Sequence, residues 1–266
     1  MNLYVSCASG LQQVLKKELQ LLGYKPTILK STLLTFEGED TAIAHTNLRL
    51  RTANKVYLEI AHQTIETFDQ LFDFVYAQDR AKYAGNFTFI MKATSNNSKL
   101  FSTPTIQSIS EKAIHKKLAR TDAPGEEPLE ILIMIENDIC TILLNTSGES
   151  LHKRGYKVQT GEAPINETLA AGLILLSAWK FHEPFFDTFC GSGTFPIEAA
   201  MIAKNIAPGL HRRFAFQLRT RYDKEFFDKA KTQAKLKIMT TKHHTIVGTD
   251  SDPEMIAIAQ ENAKEA

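Results

Sequence analysis

The feature that most constrains this fold is a small-residue loop between a strand-like run and a helix-like run. PFF (184–186) precedes DTFCGSGTF (187–195), and PIEAAMIAK (196–204) follows it. Strand, small-residue loop and helix is the arrangement with which α/β proteins hold nucleotide-like ligands. A second strand-like run, HTIVGTD, ends at Asp250 and is again followed by a helix-like run. Strands that alternate with helices predict a parallel, doubly wound sheet for this region.

Two acidic residues beside a glycine loop indicate which ligand the region binds. Asp187 and Asp250 end the two predicted strands, where open α/β sheets bind ligands and where a carboxylate accepts hydrogen bonds from ribose hydroxyls. Gly191 and Gly193 allow backbone to approach a ligand closely. The loop has no lysine of a phosphate loop, and Pro196 stands where a dinucleotide motif has its third glycine. Asp187 would repel a pyrophosphate, so a ligand with a ribose and an ammonium, such as S-adenosylmethionine, is favoured.

The part of the chain before this loop predicts two α+β units, over residues 1–60 and 61–160. In the first, a strand at 2–6 precedes a helix from about 10 to 22, for which Ser9 is the candidate cap. In the second, the runs LEILIMIEN and ICTILLNTS predict neighbouring strands of a hairpin. A long apolar helix, EAPINETLAAGLILLSAWKF, is predicted to lead into the sheet of residues 161–266.

Composition excludes several classes of protein. The net charge is +1, so a nucleic-acid partner would have to use a local basic patch. The three cysteines form no CxxC pair and the eight histidines show no metal-ligand spacing. We therefore expect no disulfide framework, no metal site and a reducing, cytoplasmic setting. No apolar run reaches the roughly 18 residues typical of a membrane span.

Two longer stretches carry a resemblance to a known family. DTFCGSGTFPIEAAMIAKNIAPG with the following FAFQ, and LHKRGYKVQTGEAPINETLAAGLILLSAW before it, resemble the bacterial THUMP-domain RNA methyltransferases. These are similar to the large-subunit rRNA guanine-N2 methyltransferase. The resemblance implies a ferredoxin-like unit at 1–60, a THUMP RNA-binding domain at 61–160 and a Rossmann-like class I methyltransferase domain at 161–266. Thr188 departs from the family, which usually has proline there, and Leu218-Arg219 stands where a tryptophan is usual.

The resemblance also implies roles for individual residues, with S-adenosylmethionine as cofactor and RNA as partner. Asp187 would hold the amino-acid end of the cofactor, Asp250 its ribose, and Ser251 would lie next to the adenine. The expected cofactor-binding residues are Asp187, Phe189, Cys190, Gly191, Ser192, Gly193, Thr194, Asp250 and Ser251. Cys190 is interpreted as a small residue that fills the loop; the alternative is a covalent nucleophile, for which the sequence offers no paired base.

Basic clusters are the candidates for RNA contacts. The expected phosphate-binding residues are Lys116, Lys117, Arg120, Lys153, Arg154 and Lys157. A solvated basic face is the alternative for each cluster. A third cluster, Arg212, Arg213, Arg219 and Arg221, follows the cofactor loop.

One element of the family is absent from this sequence. Family members orient an exocyclic amine with an Asn/Asp-Pro-Pro-aromatic motif, and none of the nine prolines here is adjacent to another. The last residues, QENAKEA, carry no helix-ending signal. We expect the chain to be an N-terminal part of a longer family chain, with no catalytic residue, no turnover by itself and weak or absent cofactor binding.

Four hypotheses follow from these observations. The first is an S-adenosylmethionine-dependent RNA methyltransferase acting on a guanine exocyclic amine, in ribosomal RNA. The second is a non-catalytic RNA-binding remnant, and the third is a DNA adenine-N6 methyltransferase, against which the THUMP-like front argues. A nicotinamide-dependent oxidoreductase is disfavoured by Pro196 and Asp187.

Overall fold

The structure is a computed structural model that describes residues 1–79, 89–118, 128–159, 164–218, 222–240 and 243–266. Its strands are β1 (Asn2–Cys7), β2 (Thr27–Lys30), β3 (Leu33–Glu37), β4 (Ala53–Thr64), β5 (Phe89–Asn96), β6 (Leu129–Glu136), β7 (Ile139–Asn145), β8 (Phe185–Asp187) and β9 (Ile246–Gly248). Its α-helices are α1 (Gln12–Leu21), α2 (Asp40–Arg49), α3 (Phe68–Ala77), α4 (Thr103–Leu118), α5 (Glu167–Leu176), α6 (Thr194–Ala203), α7 (Lys224–Leu236) and α8 (Pro253–Glu265).

The chain divides into two compact units, which we describe separately. Unit 1 comprises residues 1–4, 57–148 and 214–222, and unit 2 comprises 5–56, 149–213 and 223–266. Arg120, Arg219 and Arg221 lie outside the described residues.

Unit 1 is built on four strands in the order β4-β7-β6-β5. The β4–β7 and β6–β7 pairs are antiparallel and the β5–β6 pair is parallel. A parallel pair requires a crossover connection, and α4 lies between β5 and β6 in the chain and packs on β5. Helix α3 packs on α4 and begins with a capping box, in which the Thr67 side chain accepts from the Gln70 amide.

The predicted hairpin of unit 1 is confirmed as β6–β7. Asn137 and Asp138 form its two-residue turn with φ of 51° and 63°, the left-handed values that a type I′ turn requires. Glu136 pairs with Ile139 across that turn. The β6 residues Ile131, Ile133 and Ile135, which lie on one face of the strand, are buried in the core.

The front of unit 2 consists of β2 and β3, an antiparallel pair, with α1, α2 and the adjoining parts of β1 and β4. Helix α1 contacts α5 closely, because Gly172 leaves room for Leu11: a Cβ on Gly172 would lie 2.5 Å from Leu11 Cδ1. The glycine in the middle of α5 therefore allows close packing between α5 and α1.

Leu48 of α2 packs with Ala207, Leu210 and Ala234 in a small apolar cluster.

The rest of unit 2 contains the strand–loop–helix arrangement that the sequence predicts. β8 and β9 are parallel, with Phe185 opposite Ile246 and Asp187 opposite Gly248. Helix α6 follows β8 and packs on both strands, and α8 follows β9 and contacts α6. The two acids therefore come from the same edge of the sheet.

Two boundaries differ from the sequence prediction. Helix α1 begins at Gln12 with Leu11 as its N-cap and no side-chain cap, so the capping role expected for Ser9 is wrong. The long helix predicted at 162–181 is α5, which spans only Glu167–Leu176. Residues 164–166 are not helical, and beyond α5 Ala178 has a φ of 56°, which no residue inside a right-handed helix adopts. The apolar residues continue beyond the end of α5 because Trp179, which is not helical, packs on Phe185 of β8.

Candidate cofactor site

The loop between β8 and α6 is fixed to the end of β9 by backbone hydrogen bonds. The Thr249 amide donates to the Asp187 carbonyl at 2.8 Å, and the Cys190 amide donates to the Thr249 carbonyl at 2.9 Å. The Gly193 amide then donates to the Cys190 carbonyl at 2.8 Å and closes a tight turn. These backbone hydrogen bonds fix the conformation of the loop against the end of β9.

The two loop positions, 191 and 193, carry glycine for different physical reasons. Gly193 has a φ of 84°, and a Cβ there would lie 2.9 Å from Ala259 Cβ in α8. Gly191 has a φ of 50°, but a Cβ there would meet nothing within 4 Å. Gly193 is thus required for packing on α8, whereas Gly191 leaves backbone open on the outer side of the loop.

Asp250 connects the loop to the second strand. Its Oδ2 accepts from the Gly191 amide at 2.8 Å and its Oδ1 from the Asp252 amide at 3.0 Å. These backbone donors, first that of Asp252 and then that of Gly191, hold the pKa of Asp250 below its ordinary value. The carboxylate is partly exposed and ionised at neutral pH, and its remaining lone pairs can accept from hydroxyl donors.

Other expected cofactor residues lie around this carboxylate. Asp187 accepts from the Phe189 amide at 3.2 Å, and the Phe189 ring is 87% exposed. Ser192 and Thr194 are buried, at 6% and 3% exposure. Ser251 is exposed next to Asp250. Asp252 caps α8 through the Glu254 amide, with Pro253 at the first helical position.

Cys190 has the environment of a packing residue. Its side chain is buried, and a Cβ on Gly248 would lie 3.0 Å from its Sγ. Burial, followed by the charges of Asp187 and Asp250, raises the pKa of the thiol. A thiol with a raised pKa is a poor nucleophile at neutral pH, which favours the loop-filling interpretation.

A buried polar cluster behind the loop is absent from the sequence predictions. Glu198 of α6 is fully buried and accepts from Arg154 Nε at 3.4 Å and from the Tyr156 hydroxyl at 3.2 Å. Arg154 also donates to the carbonyl oxygens of Leu151 and Arg51. The sequence contained one signal for this cluster, since Glu198 is the only charged residue of the otherwise apolar α6.

Arg154 is therefore not an RNA-contacting residue in this fold. It is 3% exposed, and its guanidinium donates to protein acceptors, so the expectation of a phosphate contact is wrong. A charged side chain that is buried in this way requires a partner, and Glu198 supplies it. Lys157 is also turned inward: its ammonium donates to the Ile165 carbonyl at 2.9 Å and lies 3.5 Å from Glu167.

Lys116, Lys117 and Lys153 are exposed, whereas Arg212 is partly buried. Lys153 Nζ forms an ion pair at 2.6 Å with Glu149 Oε1, which lies four positions earlier in the chain. In unit 1, Lys116 Nζ lies 5.5 Å and 5.9 Å from the ring centroids of Phe72 and Tyr76. Lys117 Nζ donates to the carbonyls of Tyr76 and Gln78 at the carboxyl end of α3, where a cation is favourable. Arg212 of the third cluster donates to the carbonyls of Glu149, Ser150 and Lys153.

Comparison with known proteins identifies the family. Residues 154–266 match the RMKL-like methyltransferase domain, residues 2–57 the RlmL ferredoxin-like domain and residues 66–145 the THUMP domain. A proposed RNA methyltransferase, YpsC of Bacillus subtilis (strain 168), is 38% identical over 273 aligned positions that cover 100% of this chain and 71% of the relative. The chain belongs to the RMKL-like methyltransferase family. The expected resemblance to THUMP-domain RNA methyltransferases is thus confirmed.

Other members of the family extend this comparison. The ribosomal RNA large subunit methyltransferase K/L of Buchnera aphidicola is 34% identical over the whole of this chain, which spans 40% of that longer protein. A crystal structure of a predicted N6-adenine-specific DNA methylase from Listeria monocytogenes matches with a TM-score of 0.91 and 37% identity, over 99% of this chain and 71% of that one. A proposed methyltransferase, SMU.472, complexed with SAH, matches with a TM-score of 0.87 and 39% identity, over 99% and 72%. These matches confirm the expected mixture of ferredoxin-like, THUMP and methyltransferase folds.

Two further observations bear on partners. In the part of the chain that the structure describes, no group of three or more histidine, cysteine or acidic side chains is arranged to hold a metal ion. No described helix has both the length and the apolar character needed to cross a membrane.

Proposed function

We propose that this chain carries the cofactor-binding and RNA-binding parts of an S-adenosylmethionine-dependent methyltransferase that acts on a guanine exocyclic amine in large-subunit ribosomal RNA. The observation that carries the proposal is the position of Asp250. Its ionised carboxylate is partly exposed and lies beside the open face of Gly191, at the carboxyl end of β9. A ribose with two free hydroxyls fits such a carboxylate.

The charge of the site supports this cofactor over a phosphate-bearing one. Asp187 and Asp250 both lie at the loop, and their charges both act on Cys190. Two carboxylates favour an ammonium and hydroxyl groups and disfavour a pyrophosphate. When bound, S-adenosylmethionine supplies an electrophilic methyl group, and the residues of this chain bind and orient it. The SAH complex of a relative that is 39% identical agrees with this ligand class.

Replacing Asp250 tests the cofactor site. We expect weak binding of S-adenosylhomocysteine to the 266-residue chain, and a loss of roughly tenfold to hundredfold in affinity for Asp250→Ala, because hydrogen bonds to a charged acceptor contribute about 1.5–3 kcal/mol. Ligand-observed NMR titration measures both affinities. The control is Asp223→Ala, which removes an exposed helix-capping aspartate of α7 in the same unit. Equal affinities for the Asp250 variant and the parent chain would contradict the proposed site.

RNA rather than DNA is the proposed substrate. The match of residues 66–145 to the THUMP domain and the ribosomal RNA methyltransferase among the relatives support RNA. The Listeria monocytogenes relative, a predicted N6-adenine-specific DNA methylase, supports DNA as the alternative substrate. Competition between a labelled large-subunit rRNA fragment and unlabelled DNA of the same sequence distinguishes the two, since only a DNA-specific protein would release the RNA at equimolar DNA.

Salt dependence tests the lysines of unit 1. We expect the affinity for an rRNA fragment to fall steeply as salt rises, and Lys116→Gln to reduce the slope of log K against log salt by about 1, because one phosphate contact is lost. Fluorescence anisotropy at several salt concentrations gives the slope. Lys92→Gln is the control, an exposed lysine of the same unit that pairs with Glu130. A slope that Lys116→Gln leaves unchanged would remove Lys116 from the interface.

A further inference from the structure

Asn262 of α8 is a fully buried polar residue that contacts the cofactor loop from behind. Its exposed fraction is 0%. Its Nδ2 donates to the Ser192 carbonyl at 3.1 Å and to the Gln159 carbonyl at 3.1 Å. Its Oδ1 accepts from the Val158 amide at 2.9 Å. The side chain thus connects the glycine loop to a separate segment of the same unit.

The hydrogen-bond pattern of this side chain suits an amide in one orientation. Two carbonyl oxygens require donors and one backbone N–H requires an acceptor, which is the complement that asparagine carries. A carboxylate would place an oxygen against both carbonyls. An apolar residue of similar size would leave these three backbone groups without this partner, which is most unfavourable at the buried Ser192 carbonyl.

The contact fixes one particular peptide unit of the loop. The peptide between Ser192 and Gly193 has its carbonyl bonded to Asn262 and its N–H bonded to the Cys190 carbonyl. The neighbouring Gly191 amide is bonded to Asp250. The loop is therefore held at two adjacent points, by the partly exposed Asp250 carboxylate and by the buried Asn262 amide.

The segment behind Asn262 is itself anchored. Val158 and Gln159 follow Arg154 and Tyr156, which both bond to Glu198 of α6. Residues 154–159 are therefore attached to α6 through Glu198 and to α8 through Asn262. Because α6 begins where the loop ends, both helices that flank the loop are bonded to the same short segment.

We propose that Asn262 is a positioning residue of the cofactor site, which holds the Ser192–Gly193 peptide in the conformation that receives the cofactor. The inference rests on the proposed function, because the ligand is the cofactor proposed for this loop. A side chain that is locked by surrounding hydrogen bonds can keep a binding loop preorganised, which lowers the entropic cost of binding.

Two variants test the role. Asn262→Asp keeps the shape and opposes the two carbonyls, and Asn262→Ser is a smaller change in case the first variant does not fold. Amide hydrogen exchange of the ligand-free 266-residue chain is measured at Gly191 and Gly193, with S-adenosylhomocysteine affinity measured in parallel. We expect exchange at Gly193 to become at least about tenfold faster, and affinity to fall by about tenfold, which equals about 1.4 kcal/mol.

A matched control separates positioning from general stability. Asn47 of α2 is also buried, at 1% exposure, and its Nδ2 donates to the Ile43 carbonyl at 2.9 Å. Asn47→Asp and Asn47→Ser are expected to lower the melting temperature without accelerating exchange at Gly193 below that temperature.

The possible outcomes distinguish the two proposals. Unchanged Gly193 exchange in folded Asn262 variants overturns the positioning role, as does equal acceleration by the Asn47 variants. If the parent chain binds no S-adenosylhomocysteine under any condition, the cofactor site proposed for this 266-residue chain fails, and the exchange measurement still decides whether Asn262 holds the loop.

Discussion

Replacing Glu198 with alanine is expected to lower the free energy of unfolding by about 3–5 kcal/mol, the cost of breaking a buried ion pair from one side. Glu198 is fully buried and Arg154 is 3% exposed, so the guanidinium would be left in the interior without its ion-pair partner. The Tyr156 hydroxyl would lose its acceptor as well. Urea denaturation followed by circular dichroism measures the change.

Controls show whether burial is the cause. Glu225→Ala removes a carboxylate that pairs with Lys229 on the surface of α7, where both side chains are more than two-thirds exposed, and should cost less than about 1 kcal/mol. The double variant Arg154→Met with Glu198→Leu should be more stable than Glu198→Ala alone, because it leaves no unpaired charge. A cost below about 1 kcal/mol for Glu198→Ala would show that the pair is not buried as described.

Replacing Gly193 with alanine is expected to destabilise the chain by about 2–5 kcal/mol. A φ of 84° is unfavourable for an L-residue by about 1–2 kcal/mol, and overpacking adds about 1–3 kcal/mol. The new Cβ would lie 2.9 Å from Ala259 Cβ, so α8 would have to move away from the loop. The same denaturation measurement tests this expectation.

Gly191→Ala is the matched control, two residues away in the same loop. It also has a positive φ, of 50°, but a Cβ there meets nothing within 4 Å. We expect only the conformational cost of about 1–2 kcal/mol. If the two variants were equally destabilised, contact with α8 would not be the reason for glycine at position 193. The double variant Gly193→Ala with Ala259→Gly should recover part of the loss, because it removes the opposing methyl group.

Local patterns in the sequence were sufficient to predict the hairpin of unit 1 and the strand–loop–helix at the cofactor loop, because both depend on residues close together in the chain. Their determinants are apolar runs and the small or polar residues between them, which act over a few residues. Helix ends that lack such signals are predicted less accurately: α5 spans Glu167–Leu176, whereas the predicted helix spanned 162–181.

The sequence alone could not separate exposed from buried charges. Lys153 and Arg154 are neighbours in a basic run, yet Lys153 is exposed and Arg154 is enclosed with Glu198. The partner lies 44 positions further along the chain, so no local pattern distinguishes the two cations.

The amino-acid sequence by itself determined the glycine loop, the two acids at the strand ends and the family to which they belong. Only the tertiary structure decided which groups support the loop. Asn262 lies 70 positions from Ser192, and its role appears only when α8 packs behind the loop. The reason is physical: turns and caps are satisfied within the local chain, whereas a buried amide or ion pair is defined by partners that folding brings together from distant positions.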